Sequence, residues 1–394
     1  MNVAPNRLSP LQFVVGFGIV SGLGDVVYEG ARSLIGPYFG SLGASALVVG
    51  VISGAGEAAA LVLRLFTGPL ADRSDRPWAQ TIIGYLLTMV CVPLVASTGN
   101  LAAAGLLYNG ERIGKAVRTP ARDTMLAHAS AGMGRGYAFG LHEALDQFGA
   151  MIGPLLLAAA LALGADYRLA FALLAIPGAL AMVALLRVRI LAPQPLAWEP
   201  EATVADAKRL RIESGLPRKF WQYALFSGVT MFGFATWAVP AYHLTHRHLM
   251  SQAWVAVLYA VAMGVASVAA VTFGRLYDRV GLRGLIVLPV LAGVLPLFTF
   301  STTIALVVIG AILWGGVMGV HESTMRAAVA DFVPAHRRGA GYGIFTAIYG
   351  LAWLVGAVVI GWLYEYGVAP TAIFVGIVQA VALVLLVPLL RKAE

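Results

Sequence analysis

The 394-residue chain is predicted to be an all-α membrane protein of twelve transmembrane helices, arranged as two six-helix bundles related by pseudo-two-fold symmetry. Three observations predict this. Hydrophobic residues make up 59% and charged residues 12% of the sequence, about half the charge a soluble domain carries, so lipid suits its surface better than water. Apolar runs long enough to cross a bilayer recur along the whole chain. Finally, Gly68-Pro69-Leu70-Ala71-Asp72-Arg73 returns 206 residues later as Gly274-Arg275-Leu276-Tyr277-Asp278-Arg279, the mark of a duplicated half.

In the first half the expected spans are 12–38, 45–67, 79–98, 100–125, 136–163 and 167–188. In the second half they are 219–244, 252–273, 284–302, 304–330, 340–365 and 369–390. Helix is required, because an apolar strand would leave backbone groups unpaired in lipid. Asp25 and Glu29 interrupt the first apolar run. A cleavable signal peptide keeps its short core uncharged, so this span is expected to be retained. Gly16, Gly18 and Gly22 read as small residues that let helices approach closely; no strand precedes them, as a nucleotide loop would need. The single cysteine, Cys91, excludes an intrachain disulfide and a cysteine metal cluster, and is expected to pack.

Between the halves lies one long polar stretch, 193–217, holding Glu199, Glu201, Asp206, Lys208, Arg209, Arg211 and Glu213. It reads as a cytoplasmic linker, either a solvated tether or in part an amphipathic helix on the inner membrane face. The expected domains are a bundle at 1–192, the linker at 193–217 and a bundle at 218–394. Of the 27 Lys and Arg, only Arg168 and Arg247 fall outside when the N-terminus is placed in the cytoplasm, and Arg32, Arg64, Arg112 and Lys115 lie inside spans. Both termini are therefore expected to be cytoplasmic. The net charge of +8 is then a topology signal, and no nucleic-acid partner is implied.

Two further anchors keep the repeat in register. Arg135-Gly136-Tyr137-Ala138-Phe139-Gly140 matches Arg338-Gly339-Ala340-Gly341-Tyr342-Gly343, and Arg122 pairs with Arg326. The recurring Asp72-Arg73 and Asp278-Arg279 sit on short basic turns at the cytoplasmic ends of spans. A carboxylate there caps a neighbouring helix or pairs with an arginine, a contact that forms in one conformation and breaks in another. These four residues are candidate gate latches, and Arg118, Arg122, Asp123 and Arg326 are counted with them. The alternative is a set of solvated loop charges.

Ionisable groups inside spans are costly unless they face a cavity or a partner, so function is their default reading. Asp25, Glu29 and Arg32 share one face of span 1, and Glu57 and Arg64 one face of span 2. Glu111, Lys115, Arg118 and Arg122 form a stripe on span 4, with Arg112 beside it. On span 5, His142 stacks on Asp146 and Glu143 on Gln147; on span 10, Glu322 stacks on Arg326. Asp25, Glu29, Glu57, Glu143 and Asp146 are candidate proton carriers, since burial favours a neutral carboxyl and a nearby guanidinium a charged one. The alternative is fixed salt bridges to Arg32, Arg64, Arg112 or Lys115. Those four cations, with His142, Gln147 and Glu322, are the candidate substrate-binding residues.

His243, His246 and His248 cluster after span 7 without a cysteine or carboxylate beside them, so no metal site is assigned. Trp221, Trp237, Trp254 and Tyr242 near span ends suggest an interfacial aromatic belt. Trp314, Tyr349 and Trp353 fall within spans, where they either pack or line a cavity.

These residues carry a family resemblance over the whole chain. Gly68 to Arg76 resembles the loop 2–3 motif of the major facilitator superfamily, although Ser74-Asp75-Arg76-Pro77 departs from its last part. Gly149-x-x-x-Gly153-Pro154 in span 5 resembles the motif of that superfamily's antiporters. Asp25 to Arg32, Gly114 to Asp123 and Phe139 to Gln147 look like a bacterial subgroup of unsettled substrate. The resemblance implies a monomeric, multi-pass secondary transporter of the bacterial inner membrane, working by alternating access without a cofactor. Proton-coupled export of a small organic molecule is the expected activity. An importer or anion exchanger using the buried arginines is one alternative, and a non-transporting membrane sensor is another. No enzymatic activity is expected: Gly110-x-x-x-Gly114-Lys115-Ala116 has the wrong spacing for a phosphate loop and lies in a span, and no hydrolase motif is present.

Overall fold

Twelve stretches of the chain were expected to cross a membrane, and each coincides with a helix or a pair of helices in the computed structural model. The structure describes residues 6–73, 76–130, 135–198, 216–333 and 338–390; the side chains of 72, 73, 135–137, 278, 323–328, 330, 331 and 338–340 lie outside that description. Among the described residues no strand occurs. The first half holds α1 (Pro10–Ser41), α2 (Ala46–Val62), α3 (Arg64–Arg73), α4 (Pro77–Val95), α5 (Leu101–Ala129), α6 (Arg135–Ala162), α7 (Tyr167–Leu173) and α8 (Ala175–Leu191). The second holds α9 (Arg218–Phe232), α10 (Ala238–His246), α11 (Gln252–Val280), α12 (Val287–Thr299), α13 (Ile304–Phe332), α14 (Arg338–Tyr366) and α15 (Val368–Leu390).

Among the described residues, 10 helical stretches are long and apolar enough to cross a membrane. The other two spans fall short for visible reasons. The helix α5 carries Glu111, Arg112, Lys115, Arg118 and Arg122, which lower its hydropathy. Span 7 is broken: α9 and α10 are 15 and 9 residues long, each too short to cross alone. The single helix expected over 219–244 is thus corrected to two, separated by 233–237. Span 6 is also interrupted, at Leu174, where Pro177 lacks the N–H that would have bonded the carbonyl of Leu173.

The repeated motif does not lie on turns. Asp72 and Arg73 fall in the last turn of α3, and Asp278 and Arg279 in the last turn of α11. Gly281, at φ +61°, ends α11 in the left-handed region that favours glycine. The side chains of Asp72, Arg73, Asp278 and Arg326 lie outside the described ones. So do residues 199–215 of the linker, whose start is a short 3-10 turn at Pro195–Trp198.

The chain forms two compact units, Met1–Ala31 with Leu63–Ile212, and Arg32–Val62 with Glu213–Glu394. In the first, α6 packs on the start of α1 backbone to backbone. A Cβ on Gly149 would strike the carbonyl of Gly22, and one on Gly153 that of Val26. Likewise α4 meets α5 at Gly84 and Gly114, each facing the other's carbonyl. In the second unit, α2 packs on α14, with Gly50 against the carbonyl of Ala357 and Gly361 against that of Ala46. Such contacts replace the hydrophobic drive that lipid does not supply. The glycine match of α2 to α14 is why residues 32–62 pack with the second half of the chain. Trp221 and Trp254 are 48% and 64% exposed, as a lipid-facing belt requires. Trp237 and Tyr242, expected beside them, are buried instead.

Candidate functional site

In the first unit the stripe on α5 faces α1 and α4, and most of its charge converges on one tyrosine. Arg112, Lys115 and Arg118 stand over the ring of Tyr28 at 5.5, 4.1 and 5.7 Å, within cation–π range. Lys115 Nζ donates to the Tyr28 hydroxyl at 2.7 Å, and that hydroxyl donates to Asp25 Oδ2 at 3.1 Å. A continuous hydrogen-bonded chain therefore joins a half-buried ammonium to a buried carboxylate. Asp25 also lies in electrostatic contact with Asp146, Glu29 and Arg118. One turn earlier on α5, Arg112 Nε meets Glu111 Oε2 at 3.1 Å with both side chains 1% exposed.

A second knot of contacts forms around Ser21. Its Oγ lies 2.8 Å from the Tyr85 hydroxyl and 2.9 Å from His142 Nε2, and accepts from an Arg122 terminal N–H at 3.1 Å. Arg122 Nε also donates to Asp123 at 2.9 Å, and Arg118 stands over Tyr85 at 4.3 Å. The expected stacking on α6 is present: Gln147 donates to Glu143 at 3.2 Å, and donor atoms of His142, Glu143 and Asp146 lie within 4.8 Å of one another. The glycine contacts of α6 with α1 bring this acidic turn beside Asp25.

In the second unit Arg32 closes on Glu57 at 2.9 Å and stands over Trp353 at 5.7 Å. The break between α9 and α10 sits nearby. Thr236 Oγ1 in the break is 3.0 Å from Ser53 Oγ. Carbonyls in the break and in the last turn of α9 find side-chain donors: Trp314 Nε1 reaches Ala235 O at 2.9 Å, and Gln379 Nε2 reaches Thr230 O at 2.8 Å. Non-helical backbone at membrane depth is tolerated where it is satisfied in this way.

The structure places the expected residues unevenly. Asp25, Lys115, Arg112, Arg118, Arg122, His142 and Asp146 are gathered in one region of the first unit. Glu57 pairs with Arg32, and Arg64 opens α3 just after the one-residue interruption at Leu63. Glu29 is buried, Glu322 half-buried and Arg279 exposed. Gly149 and Gly153, with Pro154 after them inside α6, serve helix packing. Of the three histidines after span 7, His243 bonds the Tyr364 hydroxyl at 2.7 Å and Ser301 O at 3.2 Å, and His246 stacks on Tyr242. Ser21, Tyr28, Tyr85, Thr236 and His321 carry contacts that the charge pattern did not single out. Asp25-Val26-Val27-Tyr28 held the nearest signal, a tyrosine one turn from a carboxylate.

The family model described as Major Facilitator Superfamily matches residues 17–295 and 248–394. An uncharacterized protein of Mycobacterium tuberculosis, Rv2265, is 46% identical over 380 residues, covering 96% of this chain and 93% of its own. An uncharacterized MFS-type transporter of Methanocaldococcus jannaschii, MJ1317, is 22% identical over 399 residues, covering 98% and 96%. Among solved structures, a mutant of the nucleoside transporter NupG superposes with a TM-score of 0.76 at 14% identity, covering 96% of this chain and 100% of that one. A POT family transporter in complex with 5-aminolevulinic acid superposes with a TM-score of 0.75 at 12% identity, covering 96% and 95%. At these identities the structural likeness is one of fold.

Proposed function

The chain belongs to the major facilitator superfamily, and on that premise we propose that it is a proton-coupled exporter of a small organic molecule. It works as a monomer by alternating access in the bacterial inner membrane, with both termini cytoplasmic, the orientation the distribution of Lys and Arg supports. The bundles at 1–192 and 218–394 rock about the substrate, and the Asp72-Arg73 and Asp278-Arg279 pairs latch the cytoplasmic side.

The observation that carries the coupling is the chain Lys115–Tyr28–Asp25. A carboxylate buried among cations and a second carboxylate, Asp146, holds or yields a proton according to which partners stand beside it. Ionised Asp25 only accepts, whereas protonated Asp25 also donates an O–H, so its protonation weakens the charge-assisted bond from Tyr28 and with it the link to Lys115. Transport then follows if substrate binding shifts the same contacts. The anion-exchanger reading draws less support, because Arg32 and Arg112 already face Glu57 and Glu111.

The test uses proteoliposomes carrying a pH-sensitive dye, screened with small organic compounds. The expected result is a substrate-dependent pH change that Asp25→Asn abolishes. Substrate flux indifferent to a pH gradient would overturn the coupling.

A further inference from the structure

Among the buried aromatic side chains of the second unit, two polar groups stand apart. His321 on α13 is 2% exposed, yet neither ring nitrogen has a hydrogen-bond partner among the described residues. Trp353 on α14 is 3% exposed, and its indole N–H is likewise without one. The two share their neighbours. Phe234 lies 5.3 Å from His321 and 6.4 Å from Trp353, and Tyr349 lies 5.6 and 6.2 Å from the same two rings.

The same cluster supplies its own control. Trp237 and Trp314 pack in it too, and both indole N–H groups are occupied, by Ser33 O at 3.3 Å and Ala235 O at 2.9 Å. The two other indoles of this cluster are thus satisfied, as buried polar groups normally are, whereas in the first unit Trp78, packed on Phe13 and Phe17, also keeps an N–H without a partner among the described residues. A histidine and an indole left open around the same two aromatic rings call for a ligand that supplies the missing atoms.

We propose that Phe234, His321, Tyr349 and Trp353 form a binding subsite for a planar heteroaromatic group. The ring stacks against Phe234 and Tyr349, whose faces favour offset or edge contacts. An acceptor on its edge takes the Trp353 N–H, and a second edge atom pairs with His321, which offers one donor and one acceptor as a neutral imidazole. Arg32 over Trp353 holds that indole in place. Phe234 lies in the non-helical stretch between α9 and α10. It is buried and stacks on Trp314 at 5.5 Å, so the ligand enters by displacing Phe234 from that stack. The proposal rests on the reading of the chain as a transporter of small organic molecules and names their class.

The test is calorimetric titration of the purified full-length protein with adenine and nicotinamide, using cyclohexanecarboxamide as a non-aromatic control. At least one heteroaromatic probe is expected to bind roughly tenfold more tightly than the control. His321→Phe and Trp353→Phe are each expected to weaken it about fivefold or more, and His321→Gln to retain more affinity than His321→Phe. Trp237→Phe, an indole with a satisfied N–H, serves as the packing control and leaves affinity unchanged. The proposal is overturned if neither probe outbinds the control, or if His321→Phe and Trp353→Phe bind like the parent. Binding that persists while flux ignores the pH gradient overturns only the coupling; coupled flux of a purely aliphatic compound without heteroaromatic binding overturns only the subsite.

Discussion

Arg32 and Glu57 form an ion pair at 2.9 Å, with side chains only 6% and 8% exposed. Neither charge has bulk water to fall back on, so each depends on the other. Removing one partner of such a pair leaves an uncompensated buried charge, which costs about 3–5 kcal/mol. Glu57→Gln is therefore expected to lower stability by that order in chemical unfolding of the detergent-solubilised protein. Adding Arg32→Met to it should restore at least half of the loss. A double variant no more stable than the single one would show that the pair is not the source of the effect.

Tyr28→Phe separates Lys115 from Asp25 while keeping the ring beneath the three cations. Positioned proton-transfer groups contribute on the order of a hundredfold or more to rate, so substrate-driven proton flux in proteoliposomes should fall by about that factor. Substrate binding should change far less. Unaltered proton flux in this variant would remove the tyrosine from the coupling route.

Gly149 faces the carbonyl of Gly22, whereas Gly140 on the same helix has open space beside it. Overpacking a close contact costs about 1–3 kcal/mol, and a helical glycine replaced by alanine in open space gains up to about 1 kcal/mol. Gly149→Leu is therefore expected to lower the melting temperature and Gly140→Ala to hold or raise it. Equal responses from the two would argue against direct contact of α6 with α1.

The latch reading predicts a conformational readout. Asp72→Asn should shift the protein toward the state open to the cytoplasm, by an equilibrium change of about 1–3 kcal/mol for a lost charge-assisted hydrogen bond. Spin-label distances across the cytoplasmic side, measured in a Cys91→Ser background, report that population. Identical distance distributions in the two proteins would refute the latch.

Hydropathy and the glycine content were enough to anticipate the helices, because a bilayer dictates both span length and close packing. Partners between helices were less legible. Arg32 lies on a face shared with Asp25 and Glu29, yet it pairs with Glu57 on another helix, and no spacing along one chain encodes that. The break after Phe232 was hidden for a related reason: Gly233 is an ordinary residue in a glycine-rich span, and what stabilises the break is Trp314 and Gln379, far away in sequence. Ser21, Tyr28 and Tyr85 were missed because a search guided by charge passes over neutral hydroxyls. Once folded, those hydroxyls link the charges to each other. His321 was passed over beside Glu322, since its significance is a missing partner, visible only in three dimensions.

The unbroken α1 and the divided pair α9 and α10 occupy corresponding positions in the two repeats. One is a 32-residue rod, which transmits a push from end to end. The other is jointed, and its joint is held by two side chains rather than by its own amide ladder. A duplication that began with matching parts has thus arrived at unequal stiffness. In mechanical terms the first helix is a rod and the seventh an elbow, so the same position in the two repeats differs in how readily it bends.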